Sequence, residues 1–404
     1  MEKRNIFLSF IVILGLLAGF HLSQEGRLQA LLFQGRENQE LEETMITEPR
    51  TSLVTVAAVG DIMMHSPQIN AGYQQSTGEY NFDHFFKEIK PYLISADLTL
   101  GNLEVPLAGK DRQYTGYPRF NSPSELAAAL KNSGFDLVTT ANNHALDRGE
   151  AGVLATLDNL DKYGLKYVGT ARNDEEKNRI FLEEIKGIKI AVLAYTYGTN
   201  GIPIPKDKPY LINLIDENLI QNDVRKAKEL KADFIIACIH WGNEYQRQPN
   251  DFQKELAAKV IGYGVDVIIG SHPHVLQPAE KIFVNSEEGI REGLVIYSMG
   301  NFISNQKERY RDSSIVLILE IEKDWQANQT VLRNAVYIPT WVQRLAHGKP
   351  VYRVLPVEKA IKDYEQRKDQ SLSSSDYQKL KQAWEDITGL LGEDDLIKLK
   401  TVIQ

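Results

Sequence analysis

His272 and His274 stand one residue apart in Gly270-Ser271-His272-Pro273-His274. Two imidazoles at that spacing can aim their ring nitrogens at one point, because Gly270 frees the turn and Pro273 stiffens the link. The pair is a candidate metal-ligand element, and its company decides whether it is one. Asp61 follows a strand-like run and Gly60, with His65 four residues on. Glu104 closes Gly101-Asn102-Leu103-Glu104, while Asn143, His144 and Asp147 share Ala141-Asn142-Asn143-His144-Ala145-Leu146-Asp147. His240 opens His240-Trp241-Gly242-Asn243-Glu244. Five of the eight histidines, at 65, 144, 240, 272 and 274, fall in these stretches.

Imidazole, carboxylate and an amide oxygen, with no thiolate, suit manganese, zinc or iron more than a structural tetrahedral zinc. Asp61, Glu104, Asn143, His240, His272 and His274 exceed what one four-coordinate ion needs, so two divalent ions are the economical reading. Two ions share a bridging carboxylate, lower the pKa of a water, and clamp attacking and leaving oxygens. His144 is then free to protonate a leaving group, with Asp147 to orient its ring. Singly, each residue has a blander role: Asp61 a turn cap, Glu104 a surface acid, Asn143 a left-handed turn. Jointly those roles explain the pattern poorly.

These residues need a common platform. The runs 53–59, 96–100, 135–139, 189–195, 233–239 and 265–269 read as strands, and 124–132, 150–163 and 253–263 as helices. Such alternation predicts a mainly parallel sheet, beyond whose carboxyl strand ends ligands gather. After Pro278 the strand-like runs 281–284, 294–297, 314–321 and 331–338 lack long helices between them, which predicts a second, more antiparallel sheet. Two facing sheets with helices outside make a layered α/β sandwich. Ser375 as N-cap and Tyr377, Leu380, Trp384, Ile387 and Leu391 at helical spacing predict an amphipathic tail helix.

The 404 residues, 43 % hydrophobic, are enough for a large packed core. A formal charge of −8 excludes a general nucleic-acid binder with a basic footprint. Cys238, the single cysteine, lies in an apolar run and allows no disulfide framework. Residues 6–22 are apolar apart from Ser9 and His21, about the length that crosses a bilayer, and follow Lys3 and Arg4. With Phe20-His21-Leu22-Ser23 a poor cleavage site, 1–22 reads as an uncleaved single-pass membrane anchor, and the positive-inside rule places the bulk of the chain outside the cytoplasm. Residues 23–50 read as a polar linker, 51–350 as the main domain and 351–404 as a helical extension.

Over roughly 53–338 the chain resembles the bacterial capsule-synthesis CapA family, the poly-γ-glutamate capsule proteins, a branch of the calcineurin-like metallophosphoesterases. The motifs above carry the resemblance, together with Val59-Gly60-Asp61-Ile62-Met63-Met64, Gly270-Ser271-His272-Pro273-His274-Val275-Leu276 and Tyr297-Ser298-Met299-Gly300-Asn301-Phe302. It implies a metallophosphoesterase-like four-layer α/β/β/α sandwich of two mixed sheets flanked by helices. It also implies a dinuclear centre in which Glu104 replaces the usual bridging aspartate, and His272 and His274 divide between two ions. Arg311 in Arg311-Asp312-Ser313 would hold an anionic substrate group, with Asn301, Glu244 and His65 nearby; His65 is too far along from Asp61 to match the usual Asp-x-His ligand. The implied role is a membrane-anchored capsule-biosynthesis protein acting on poly-γ-glutamate or a related anionic polymer, or within its synthase complex. Two other readings stay open, a stand-alone metal-dependent phosphoesterase and a non-catalytic scaffold.

Overall fold

Alternation along the first strand sets the layers. In β1 (Thr51–Ile62), Val54, Val56 and Ala58 pack into one core while Ala57 and Val59 pack into another, and all five are buried. A near-continuous apolar run of this kind is what a strand covered on both faces requires. The computed structural model describes residues 50–286, 289–346, 349–392 and 397–400. The run 6–22, read as an anchor, lies outside them, as does all but residue 50 of the predicted linker. Among the described residues no helix is long and apolar enough to cross a membrane.

Leaving aside a small hairpin of two two-residue strands (Tyr73–Gln74 and Glu79–Tyr80), the further strands are β2 (Leu98–Leu103), β3 (Leu137–Thr139), β4 (Lys166–Val168), β5 (Phe181–Ile185), β6 (Ile188–Thr196), β7 (Phe234–His240) and β8 (Val267–Ser271). They continue as β9 (Ala279–Ser286), β10 (Gly289–Ile296), β11 (Asn301–Ile303), β12 (Ser313–Asp324), β13 (Gln329–Ala346), β14 (Lys349–Pro356) and β15 (Lys398–Leu399). One sheet has the order β14-β13-β12-β1-β2-β3-β4, with β11 beside β1 and β15 beside β13; the other runs β9-β10-β8-β7-β6-β5. Both are mixed: β1 is parallel to β2 but antiparallel to β12, and β8 is parallel to β7 and β10 while β9 runs antiparallel to β10.

Val56, Leu100 and Leu317 from the first sheet meet Val192, Ile236 and Ile269 from the second in a shared core. Helices α1 (Ser66–Gly72), α2 (Glu125–Asn132) and α3 (Gly149–Lys162) lie along the first half of the chain, and Leu126, Leu130, Leu157 and Leu160 of α2 and α3 cover the outer face of the large sheet. Ile220 and Val224 of α4 (Glu217–Glu229) and Leu256 and Val260 of α5 (Asp251–Tyr263) cover the small one. The result is the four-layer α/β/β/α sandwich of two mixed sheets.

Two expectations are corrected. The strands after Pro278 form no sheet of their own: β9 and β10 extend the small sheet through β8, whereas β12 to β14 extend the large one through β1. Each thereby satisfies a row of backbone donors and acceptors that would otherwise be an open edge. The tail helix α7 (Ser374–Leu391), which follows α6 (Val357–Glu365), is capped by Ser373 and not Ser375. Ser373 Oγ accepts from the Asp376 backbone N–H at 3.1 Å and Asp376 Oδ2 accepts from the Ser373 N–H at 2.9 Å, the reciprocal box that a three-residue spacing permits.

Two glycines fix where the strand ends meet. A Cβ on Gly60 would lie 1.9 Å from Gly300 O, and one on Gly270 would lie 1.9 Å from Tyr297 O, so the segment 297–300 packs directly on the ends of both β1 and β8. Gly270→Ala is expected to destabilise the protein by about 1–3 kcal/mol through overpacking. An unchanged urea midpoint would contradict the close approach.

Candidate metal centre

The ends of β1, β2, β7 and β8 and the loop after β3 open onto one point. Asp61, fully buried, accepts from Asn102 Nδ2 on Oδ1 at 2.8 Å, and its Oδ2 lies 3.1 Å from His274 Nδ1 and 3.4 Å from the His272 backbone N. Glu104, also fully buried, puts Oε1 3.6 Å from His240 Nε2 and 3.8 Å from His274 Nε2. Asn143 Oδ1 lies 3.0 Å from His240 Nε2, and His240 Nδ1 is 2.8 Å from Ser271 Oγ. The six residues read as ligands are therefore brought together. Ligand atoms of Asp61, Glu104 and His240 lie within 4.8 Å of one another, as do those of Glu104, His272 and His274. Glu104 belongs to both groups, and His272 and His274 fall together in one of them, where the resemblance implied that they divide between two ions.

This cluster lacks a charge to balance it. Glu104 Oε1 and His272 Nδ1, both buried, have no hydrogen-bond partner among the described residues. Such orphaned groups cost about 1–3 kcal/mol each, more when charged. Burial, with Asp61 alongside, pushes the Glu104 carboxyl well above its ordinary range. Burial likewise pushes His240 well down and His272 to about 3, which leaves neutral imidazoles with lone pairs to offer. Carboxylates, neutral imidazoles and an amide oxygen with unused acceptor capacity form a donor set that fits divalent cations. His272 and His274 also hold φ of 98° and 58°, a left-handed backbone that non-glycine residues keep mostly where a site demands it.

His144 stands beside this set. Its Nδ1 is 2.8 Å from Asp147 Oδ2, an oxygen that also accepts the Phe120 backbone N–H at 2.7 Å, so the carboxylate is fixed from two sides. The Phe120 ring meets the His144 ring edge to face at 4.7 Å. Arg311 lays its guanidinium 3.5 Å over the Tyr245 ring, and that ring lies 6.0 Å from His274. Glu244 is exposed next to Tyr245. Asn301, paired across the sheet with Asp61, donates from Nδ2 to Arg311 O at 2.9 Å and so anchors the loop that carries Arg311; its Oδ1 is buried without a partner among the described residues.

His65 belongs to neither ligand group; it is the N-cap of α1, and its Nδ1 accepts the Asn305 backbone N–H at 3.3 Å. Burial holds this imidazole down at about 4. The unfolded chain binds the proton more readily, so the stability that neutral His65 contributes is complete above about pH 6.5 and is lost as the pH falls toward about 4. Between pH 6.5 and 4.5 the urea midpoint of the metal-free protein should fall more steeply than that of His65→Gln. Parallel slopes would contradict this.

Several residues at the centre carry no acid or imidazole and were not singled out from sequence. Asn102 Nδ2 reaches Asp61, Glu104 Oε2 at 3.4 Å and His240 Nδ1 at 3.3 Å. Tyr197, just past β6, packs its ring 4.6 Å from His272. Asn200 accepts from Asn143 Nδ2 at 3.1 Å and lies 3.4 Å from His144 Nδ1.

Comparison with known proteins places these residues in a family. Residues 55–306 match the family described as bacterial capsule synthesis protein PGA_cap. The capsule biosynthesis protein CapA of Bacillus anthracis is 31 % identical over 274 residues, 65 % of this chain and 63 % of that one. The PGA biosynthesis protein CapA of Bacillus subtilis (strain 168) is 32 % identical over 270 residues, 65 % of this chain and 67 % of that one. The match thus spans about two thirds of either relative's length. Among solved structures, the calcineurin-like phosphoesterase YfkN of Bacillus subtilis aligns with a TM-score of 0.42 at 16 % identity, covering 82 % of this chain and 99 % of that one.

Proposed function

Because this chain belongs to the bacterial capsule synthesis protein PGA_cap family, we propose that it serves capsule biosynthesis through a dinuclear hydrolytic centre at its strand ends. In this reading residues 1–22 anchor it in the membrane, and the domain works outside the cytoplasm on an anionic polymer such as poly-γ-glutamate or on that polymer's linkage. The observation that supports it best is the buried cluster itself, in which Glu104 Oε1 and His272 Nδ1 have no hydrogen-bond partner among the described residues.

Asp61, Glu104 and His240 would hold one cation and Glu104, His272 and His274 a second, with Asn143 beside His240. Bound there, the cations supply Lewis acidity and bring the pKa of a water toward neutrality. The chain's own groups do the rest. Asp147 takes up His144 Nδ1 and so orients the ring, leaving Nε2 to carry the proton that a leaving oxygen or nitrogen needs. Asn102 holds Asp61, Glu104 and His240 in register through one amide. Arg311, stacked on Tyr245 beside His274, meets an acidic group of the substrate.

The test has two arms. The purified protein, loaded with manganese, zinc or iron, should hydrolyse a phosphomonoester, a phosphodiester or a γ-glutamyl amide in a screen. A strain lacking the gene should lose surface polymer or its attachment, restored by the wild type but not by His272→Ala. Unchanged polymer would overturn the capsule role, and if turnover persisted would leave a stand-alone hydrolase.

A further inference from the structure

The loop 304–312 serves two places. Arg311 stacks on Tyr245 beside His274, whereas Lys307 turns into a separate cavity of about 460 Å³ whose wall includes Trp341, Arg344, Ser373, Asp376 and Lys379. Three cations from three elements, the loop, β13 and α7, thus share one concavity in a chain whose formal charge is −8. The wall carries one carboxylate, Asp376, and that group is spent on the helix cap, accepting from Ser373 N and Ser373 Oγ at 2.9 and 2.8 Å.

Arg344 is the buried member, with its side chain 11 % exposed. Its guanidinium donates to two backbone carbonyls, Val342 O at 3.1 Å and Gln306 O, while Nε has no partner among the described residues. The nearest carboxylate, Asp312, is 4.0 Å away and accepts from Trp341 Nε1 at 3.0 Å. Among the described residues neither Lys307 nor Lys379 has a carboxylate within ion-pair distance. A buried guanidinium that meets mainly neutral acceptors lacks a full counter-charge, and the N-terminal end of α7 at the same wall adds to the positive potential.

We propose that this cavity is an anion subsite, in which Lys307, Arg344 and Lys379 hold a carboxylate or phosphate of an extended substrate whose neighbouring acidic group meets Arg311 at the metal centre. The subsite rests on the proposed polymer role for the identity of its ligand but not for its affinity for anions. It makes the loop 304–312 a ruler between two acidic groups, so a short substrate with one acidic group would use only the inner end.

Isothermal titration of the full-length protein with a γ-linked decaglutamate, and separately with inorganic phosphate, tests it. The variants are Lys307→Ala/Lys379→Ala and the charge-preserving Lys307→Arg/Lys379→Arg, chosen because both lysines are on the surface and leave Arg344 in place. The alanine pair should bind decaglutamate about tenfold more weakly or worse, as expected for two charge-assisted contacts, with metal content unchanged and binding restored in the arginine pair. Equal affinity in the wild type and the alanine pair would overturn the subsite, as would failure of both anions to bind the wild type. Phosphate bound in a lysine-dependent way without decaglutamate binding would uphold the subsite and count against the polymer role.

Discussion

His144→Ala is expected to lower kcat by about 10²- to 10⁴-fold, the range for loss of a positioned general acid. The metal content and the urea midpoint should stay near the wild-type values. The expectation follows from position: the ring is 2.8 Å from Asp147 and edge-on to Phe120, and it lies outside both groups of clustered ligand atoms. Asp147→Asn should cause a smaller loss, because the ring stays but its orientation is held by a weaker acceptor. Steady-state kinetics on the best substrate of the screen reads both. A His144→Ala protein as fast as the wild type would remove the general-acid role and would favour a scaffold, for which the imidazole is idle.

Glu104→Gln should act in opposite directions on stability and on metal binding. In the metal-free protein the carboxylate is buried beside Asp61, and burial with that neighbouring charge works against its ionised form. A neutral amide of the same shape relieves this, and the metal-free variant should be more stable by about 0.5–2 kcal/mol, the usual gain when a functional residue is traded for fit. With cations present the order reverses. Glu104 is the one residue common to both ligand groups, so its loss should weaken both ions and not one, whereas His272→Ala should spare the ion near Asp61 and His240. Thermal melts with and without a chelator check both halves, and a variant less stable than the wild type in the metal-free state would contradict the first.

What could be read from the sequence was the set of strand ends. Asp61, Glu104, Asn143, His240, His272 and His274 come from five separate stretches, yet each follows an apolar run, and an α/β sheet gathers such positions at one edge. Asn102 was within reach of the same reasoning. It lies two residues before Glu104, and the period of two along an extended chain puts both on one face. Tyr197 carries no such mark, because β6 ends at Thr196 and runs on into Tyr197-Gly198 with no acid or imidazole. The three-residue strands β3, β4 and β11 are too short for periodicity to mark their ends, and β4 and β11 were not anticipated. Which sheet β12 would join is a matter of long-range pairing, on which local pattern is silent. The cationic cavity was equally hidden, since Lys307, Arg344 and Lys379 meet only through the fold.

The most direct test of the dinuclear centre is elemental analysis of the purified protein after loading with manganese, zinc or iron and desalting. Two divalent ions per chain in the wild type, with one retained in His272→Ala and none in Glu104→Gln, is the predicted result. A wild-type protein that retains no stoichiometric ion under any of the three metals would contradict it.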